Sequence, residues 1–179
     1  MPPEAFHVEV NRVEEKRMLK IDLEELIAAM EDARRDYNEY FLDRKTGEVV
    51  AVPEELLRTA QYEDWEERKQ DLPEWEHALA KVVEEIVLGE DPRWIHIPSI
   101  PTHEVYQLMV EFAESVEDRH LGELLEVALD GPGAFRRFKD VLARYPDQLD
   151  RWYAFKRSYF EREIADWLES LGIAWEPKA

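Results

Sequence analysis

"NEYFLDRKTGEVVAVP", residues 38 to 53, decides the fold class. Tyr40, Phe41 and Leu42 form one β-prone run, and Val49, Val50 and Val52 form another. "DRKTGE" between them supplies a turn, with Gly47 as the residue free to take a positive φ. This is a hairpin signal, and it makes the chain α+β, because most of what surrounds it reads as helix.

Upstream, "IDLEELIAAMEDARR" (21–35) predicts a helix. Asp22 is its N-cap, Glu25 follows three residues later, and Leu23, Leu26, Ile27 and Met30 form the apolar stripe. Downstream, Pro53 suits the first position of a helix that "PEELLRTAQYEDWEERKQ" continues without a break. "DLPEWEHALAKVVEEIVLGED" predicts another, with Trp75, Ala78, Leu79, Val82 and Ile86 on one face and Gly89 at its end. "RWIHIP" is a short strand, stopped by Pro98 and suited to pair with the hairpin.

Four helices follow. The first is capped by Thr102 and buries Val105, Leu108, Met109, Phe112 and Val116. The second buries Leu121, Leu124, Leu125 and Ala128, and the third Phe135, Phe138, Val141 and Leu142. The longest, ended by Gly172, turns Leu149, Tyr153, Phe160, Ile164, Trp167, Leu168 and Leu171 inward. Residues 1–20 read as an N-terminal extension, in which "FHVEV" alternates as an edge strand would. The expected architecture is therefore α+β and predominantly helical. A small antiparallel sheet, the hairpin plus one short strand, precedes a C-terminal helical bundle. Residues 21–179 form one domain, with helix, hairpin, helices and strand over 21–99 and four helices over 100–179.

Composition narrows the function. The protein has 179 residues, no cysteine, and a net charge of −19. Disulfides, thiolate chemistry and cysteine zinc sites are excluded. No apolar run is long enough to span a bilayer, and the start lacks an apolar signal core, so a cytoplasmic protein without membrane contact is expected. The charge is uneven: Gly131 onward carries 9 Lys and Arg against 8 Asp and Glu, and the first 130 residues carry 14 against 34. Such a surface repels phosphate backbones and favours basic partners. The 36% charged content, with few Asn and Gln, fits a heat-adapted source.

Two stretches invite a functional reading. "DGPGAFRRFKD" (130–140) is a helix-to-helix corner, with Gly131 in the left-handed position and Gly133 opening the next helix. Its solvated face carries Arg136, Arg137, Lys139 and Asp140. A helix N-terminus with two arginines within a turn can fork onto a phosphate or carboxylate. Gly131, Gly133, Arg136, Arg137 and Lys139 are thus candidates for a small anionic ligand, although no P-loop or Rossmann pattern is present. The corner also suits docking onto the acidic half of the same protein. "RWYAFKRSYF" (151–160) places Trp152, Phe155 and Tyr159 on one face with Lys156 interleaved. These four are candidates for a protein-partner surface; stacking on nucleic acid is disfavoured by the overall charge.

The acidic clusters read as solvated helix faces. His96 and His103 can approach one another around "IPSIPT", but two histidines alone make a poor metal set. No serine lies in a nucleophile elbow. Neither a cofactor, a bound metal nor a catalytic residue is therefore expected.

Taken in order, "YFLDRKTGEVVAV", "DPRWIHIP", "YQLMVEFAESVED" and "GPGAFRRFKDVL" resemble the bacterial uncharacterised protein family 0158. The resemblance spans about residues 21–174 and implies a single bacterial cytoplasmic domain. It carries no activity and no site residue. The leading expectation is a non-enzymatic protein-binding or adaptor module. The alternatives are a binder of a small anionic or phosphate-bearing ligand at Gly131–Lys139 and a metal-assisted hydrolase. Homo-oligomerisation stays open.

Overall fold

A computed structural model describes residues 17–89 and 92–179. The "FHVEV" reading lies outside the described residues. In sequence order run β1 (Leu19–Ile21), α1 (Leu23–Glu31), β2 (Asn38–Asp43), β3 (Val49–Pro53), α2 (Glu54–Thr59) and α3 (Trp65–Arg68). A 3-10 turn over Lys69–Asp71 leads to α4 (Glu74–Leu88) and β4 (Trp94–His96). The rest is α5 (Thr102–Glu114), α6 (Arg119–Leu129), α7 (Ala134–Leu142), α8 (Pro146–Ser170) and β5 (Trp175–Pro177). The fold is α+β and predominantly helical, as the sequence predicts.

The hairpin forms as read. β2 and β3 pair antiparallel with Tyr40 opposite Ala51 and Phe41 opposite Val50. β4 joins the free edge of β2, also antiparallel, to give the order β3-β2-β4. Gly47 has φ +80, and a Cβ there would stand 2.2 Å from the carbonyl oxygen of Lys20. The turn is thus pressed against β1. That strand pairs in parallel with β5, a pairing no local signal announces: both are three residues long and lie at opposite ends of the described residues. Leu19 and Lys20, read from sequence as part of an extension, belong to this pair.

Other boundaries shift for physical reasons. α1 ends at Glu31, not Arg35: Asp32 is its C-cap and Arg35 sits at φ 46. Pro53 closes β3 and caps α2. The expected single helix over 53–70 is broken into α2, α3 and the 3-10 turn. Leu56 and Trp65 both enter one core, yet nine residues of straight helix would set them about 180° apart. α4 is rotated from its expected face. Ala80 and Val83 point inward while Trp75, 63% exposed, faces out. Its apolar residues cover so much of the helix that periodicity alone does not fix the centre of the stripe. Thr102 is the first helical residue rather than the cap; Pro101 takes the cap position, and no hydroxyl bonds the free amides there.

Three apolar clusters hold the fold. One joins β1, α1, Leu42 and the loop residues Ile97 and Ile100 to Phe160, Ile164 and Leu168 of α8. A second joins α5, α6 and α7 to Trp152 at the other end of α8. The third lies between the hairpin and α2, α3 and α4. Tyr153 and Leu171, expected inside, are exposed.

Asp43 is the buried charged residue of the sheet, 1% exposed. Both its oxygens accept from Arg93, at 3.0 and 2.7 Å, and Lys45 N–H donates to it at 2.8 Å. Burial alone would raise its pKa. Arg93, the Lys45 amide and the Thr46 hydroxyl outweigh burial and hold it below the ordinary carboxylate value.

Two outcomes follow. Gly47→Ala forces a methyl group into a left-handed turn and against the Lys20 carbonyl, and is expected to destabilise the fold by about 1–3 kcal/mol in urea melts. Asp43→Asn removes the carboxylate that accepts two of Arg93's hydrogen bonds, while Glu85 still pairs with Arg93, and is expected to cost about 1–3 kcal/mol. A depressed folded-state pKa contributes stability that is present above the unfolded value, near 4, and lost as pH falls through the folded value. The Asn variant therefore loses part of the acid dependence in that window; an unchanged slope would contradict the assignment.

A candidate binding cleft between two cores

The glycine corner has the expected backbone. Gly131 has φ +76 and Gly133 φ +79, and α7 begins at once after it. Its arginines do different work from the fork expected. Arg137 folds back over the end of α6. Its Nε donates to the Ala128 carbonyl at 3.1 Å, and its guanidinium reaches the carbonyls of Asp130, Gly131 and Pro132. These include carbonyls that a helix end leaves without intrahelical partners. The Arg137 guanidinium thus closes the C-terminal end of α6. Arg136 points to solvent and pairs with Asp140 at 3.7 Å. The two guanidinium groups do not converge.

The aromatic stretch is largely interior. Trp152 is 2% exposed and packs edge-on against Phe112 and Phe138, with centroids at 5.4 and 5.0 Å. Phe155 is half-buried beside Phe112. Tyr159, also half-buried, donates to Glu104 at 2.8 Å. Burial, reinforced by that acceptor, holds its phenol above the ordinary value. Trp152 and its neighbours therefore make no exposed aromatic face.

Two residues from each stretch meet in a cleft of about 320 Å³. Lys139 comes from α7, and Lys156 and Trp152 from α8. The opposite rim is the end of α1 and its exit, Glu31 to Arg34. The apolar wall is built by Ile100, Val105, Met109 and Phe135. Ile100 belongs to the first large cluster, and Met109 and Trp152 to the second. The cleft lies where these two cores part.

Its charges are unequal in availability. Lys156 pairs with Glu31 at 2.6 Å. Asp32 accepts from the Arg35 N–H at 3.2 Å and the Tyr40 hydroxyl at 2.9 Å. The Arg35 amide bond, then the Tyr40 bond, keep its pKa below the ordinary value, so it is ionised at neutral pH. Lys139 and Arg34 have no ion-pair partner among the described residues. The lining thus carries two available cations in a protein of net charge −19.

The rim is set by Arg35, a residue sequence reasoning missed. It has φ 46, a region few residues other than glycine or asparagine adopt. Its guanidinium donates to the carbonyls of Asp32 and Ala29 and to Glu39, and lies over the Tyr40 ring. These bonds end α1 and tie it to β2. Glu39 also meets His96 at 2.6 Å, so His96 is engaged across the sheet. Burial would raise the Glu39 pKa, but His96 and Arg35 together lower it. Among the described residues, no group of three or more His, Asp or Glu could hold a metal ion, and no helix is long and apolar enough to cross a membrane.

The protein belongs to the uncharacterised protein family UPF0158, whose sequence model matches residues 16–176. That span takes in β1 and nearly all of β5, beyond the stretch the sequence motifs alone suggest. The sequence is similar to the UPF0158 protein PA5073 of Pseudomonas aeruginosa, with 29% identity over 157 residues, covering 88% of this protein and 86% of that one. No solved structure matches.

The two arginines separate in a simple test. Arg137→Ala leaves several carbonyls of the α6 end uncapped and is expected to cost about 1–2 kcal/mol in chemical denaturation. Arg136→Ala is expected to fall within about 0.5 kcal/mol of the parent. Equal effects would contradict the capping role.

Proposed function

We propose that this UPF0158 protein is a non-enzymatic binding protein, and that its ligand is a small organic carboxylate with an apolar body seated in the cleft between α1, α5, α7 and α8. One observation carries the reading: Lys139 and Arg34, both without ion-pair partners among the described residues, stand over an apolar wall. Unmatched cations beside Val105, Met109 and Phe135 suit a molecule with a charged head and a hydrophobic remainder. The reading takes up the anionic ligand that the sequence offered as an alternative to an adaptor role and moves it from the Gly131 corner to the cleft. An adaptor role through exposed aromatics at 151–160 draws less support, because Trp152 is in the core.

Size and charge restrict the ligand. A volume of 320 Å³ is the space of roughly ten water molecules and sits at the small end of ligand sites. Summed over Glu31, Asp32, Arg34, Lys139 and Lys156, the lining charge is +1. That suits a monocarboxylate better than a doubly charged phosphate.

The test is calorimetric titration at low salt with 3-phenylpropanoate, 4-methylpentanoate and inorganic phosphate. Binding of at least one carboxylate is expected, weakened tenfold or more in Lys139→Ala and in Arg34→Ala, with Arg136→Ala unaffected. Carboxylate binding that survives both cleft variants, or is lost in Arg136→Ala, would contradict the placement.

A further inference from the structure

We infer that the ligand of this cleft is zwitterionic, a free α-amino acid with a large apolar side chain. This rests on the reading above and adds the ligand's positive charge. The cleft does not offer cations alone. Along one rim, Asp32 and Arg34 stand two residues apart, one negative and one positive, and both line the cavity. Lys139 faces them from α7. Glu31 and Lys156 already satisfy one another.

Asp32 decides the matter. Its carboxylate is ionised; the Arg35 amide and the Tyr40 hydroxyl donate to it, the Arg34 amide adds a weaker contact, and the Arg35 guanidinium lies nearby. A carboxylate offers about four acceptor positions, so three of them are taken. Capacity for a further donor remains. Asp32 also caps the C-terminal end of α1, and such an end favours a positive group. A plain carboxylate would set a second negative charge near Asp32 and leave that capacity unused. An amine alone would leave Arg34 and Lys139 unmatched. An α-amino acid carries both charges on adjacent carbons. Its carboxylate goes to Lys139 and Arg34 and its ammonium to Asp32. Its side chain meets Val105, Met109 and Phe135. A side chain as large as leucine or phenylalanine fills the apolar part, and the whole molecule, about a dozen non-hydrogen atoms, suits the volume.

The experiment compares three probes on the full-length protein by calorimetry: L-phenylalanine, 3-phenylpropanoate and 2-phenylethylamine. They share the ring and the two-carbon spacer and differ in head group. The expected result is L-phenylalanine bound at least tenfold more tightly than either of the others. Asp32→Asn, checked for folding by thermal unfolding, is expected to erase the preference over 3-phenylpropanoate while keeping 3-phenylpropanoate binding. If that variant does not fold, the three-probe comparison on the parent still decides. Equal binding of L-phenylalanine and 3-phenylpropanoate overturns the zwitterion and leaves the anion site standing. Binding of the amine alone, or of none of the three at millimolar concentration, overturns both.

Discussion

One helix is built into two cores. α8 has 25 residues, about 37 Å of helix. Trp152 near its start is buried with α5, α6 and α7, while Phe160, Ile164 and Leu168 are buried with β1 and α1. The two groups of elements each need an apolar surface, and α8 supplies both. A rigid rod cannot bring its two ends together, so the cores sit beside one another along it. Where they part, the half-buried Val105 and Phe135 keep apolar surface toward a cleft, with Ile100 and Met109 packed behind them. Burial of this area is what fixes the arrangement. Two ion pairs join α8 to α1, Lys156 to Glu31 at the rim of the cleft and Arg157 to Glu24 outside it. The second is solvent-exposed and screened, and adds little to the burial.

The acidic first 130 residues and the near-neutral remainder meet along α8. Glu24 and Glu31 of α1 face the basic positions of α8, so part of the imbalance is met inside the molecule. The Gly131 corner, which sequence made a candidate for that docking, is satisfied locally. Arg137 donates to its own loop, and Arg136 pairs within its own helix. Lys139, one helical turn from Arg136, turns toward the cleft instead.

What the sequence made legible was local. The hairpin with Gly47, the Asp22 cap and the corner at Gly131 and Gly133 all depend on a few neighbouring residues, and the strand at β4 is marked by its own short apolar run. What it hid was set by distant partners. β1 and β5 are short strands whose partners lie over 150 residues apart. The break between α2 and α3 follows from where Trp65 must go. The face of α4 is ambiguous because apolar residues cover much of it. α1 stops at Glu31 because Arg35 finds Ala29, Glu39 and Tyr40, and nothing in "DARRDYN" says so. The candidate stretches at 130–140 and 151–160 each contain cleft residues. Lys139 and Lys156 lie on separate helices, so only the packing of α7 on α8 puts them in one site. Phe135, read as core, and the rim 31–34, read as helix tail, complete it.

The central claim is that the functional surface is the cleft and not the glycine corner, and Trp152 can report on it. Its indole N–H is buried without a hydrogen-bond partner among the described residues, whereas those of Trp65 and Trp94 are held by Glu84 and Glu85. The measurement is a proton–nitrogen correlation spectrum of the full-length protein during titration with L-phenylalanine, the Trp152 indole peak being assigned from Trp152→Phe. The account predicts that this peak moves with added ligand while those of Trp65 and Trp94 stay in place. Movement of the Gly131 and Gly133 amides with a stationary Trp152 indole would contradict it.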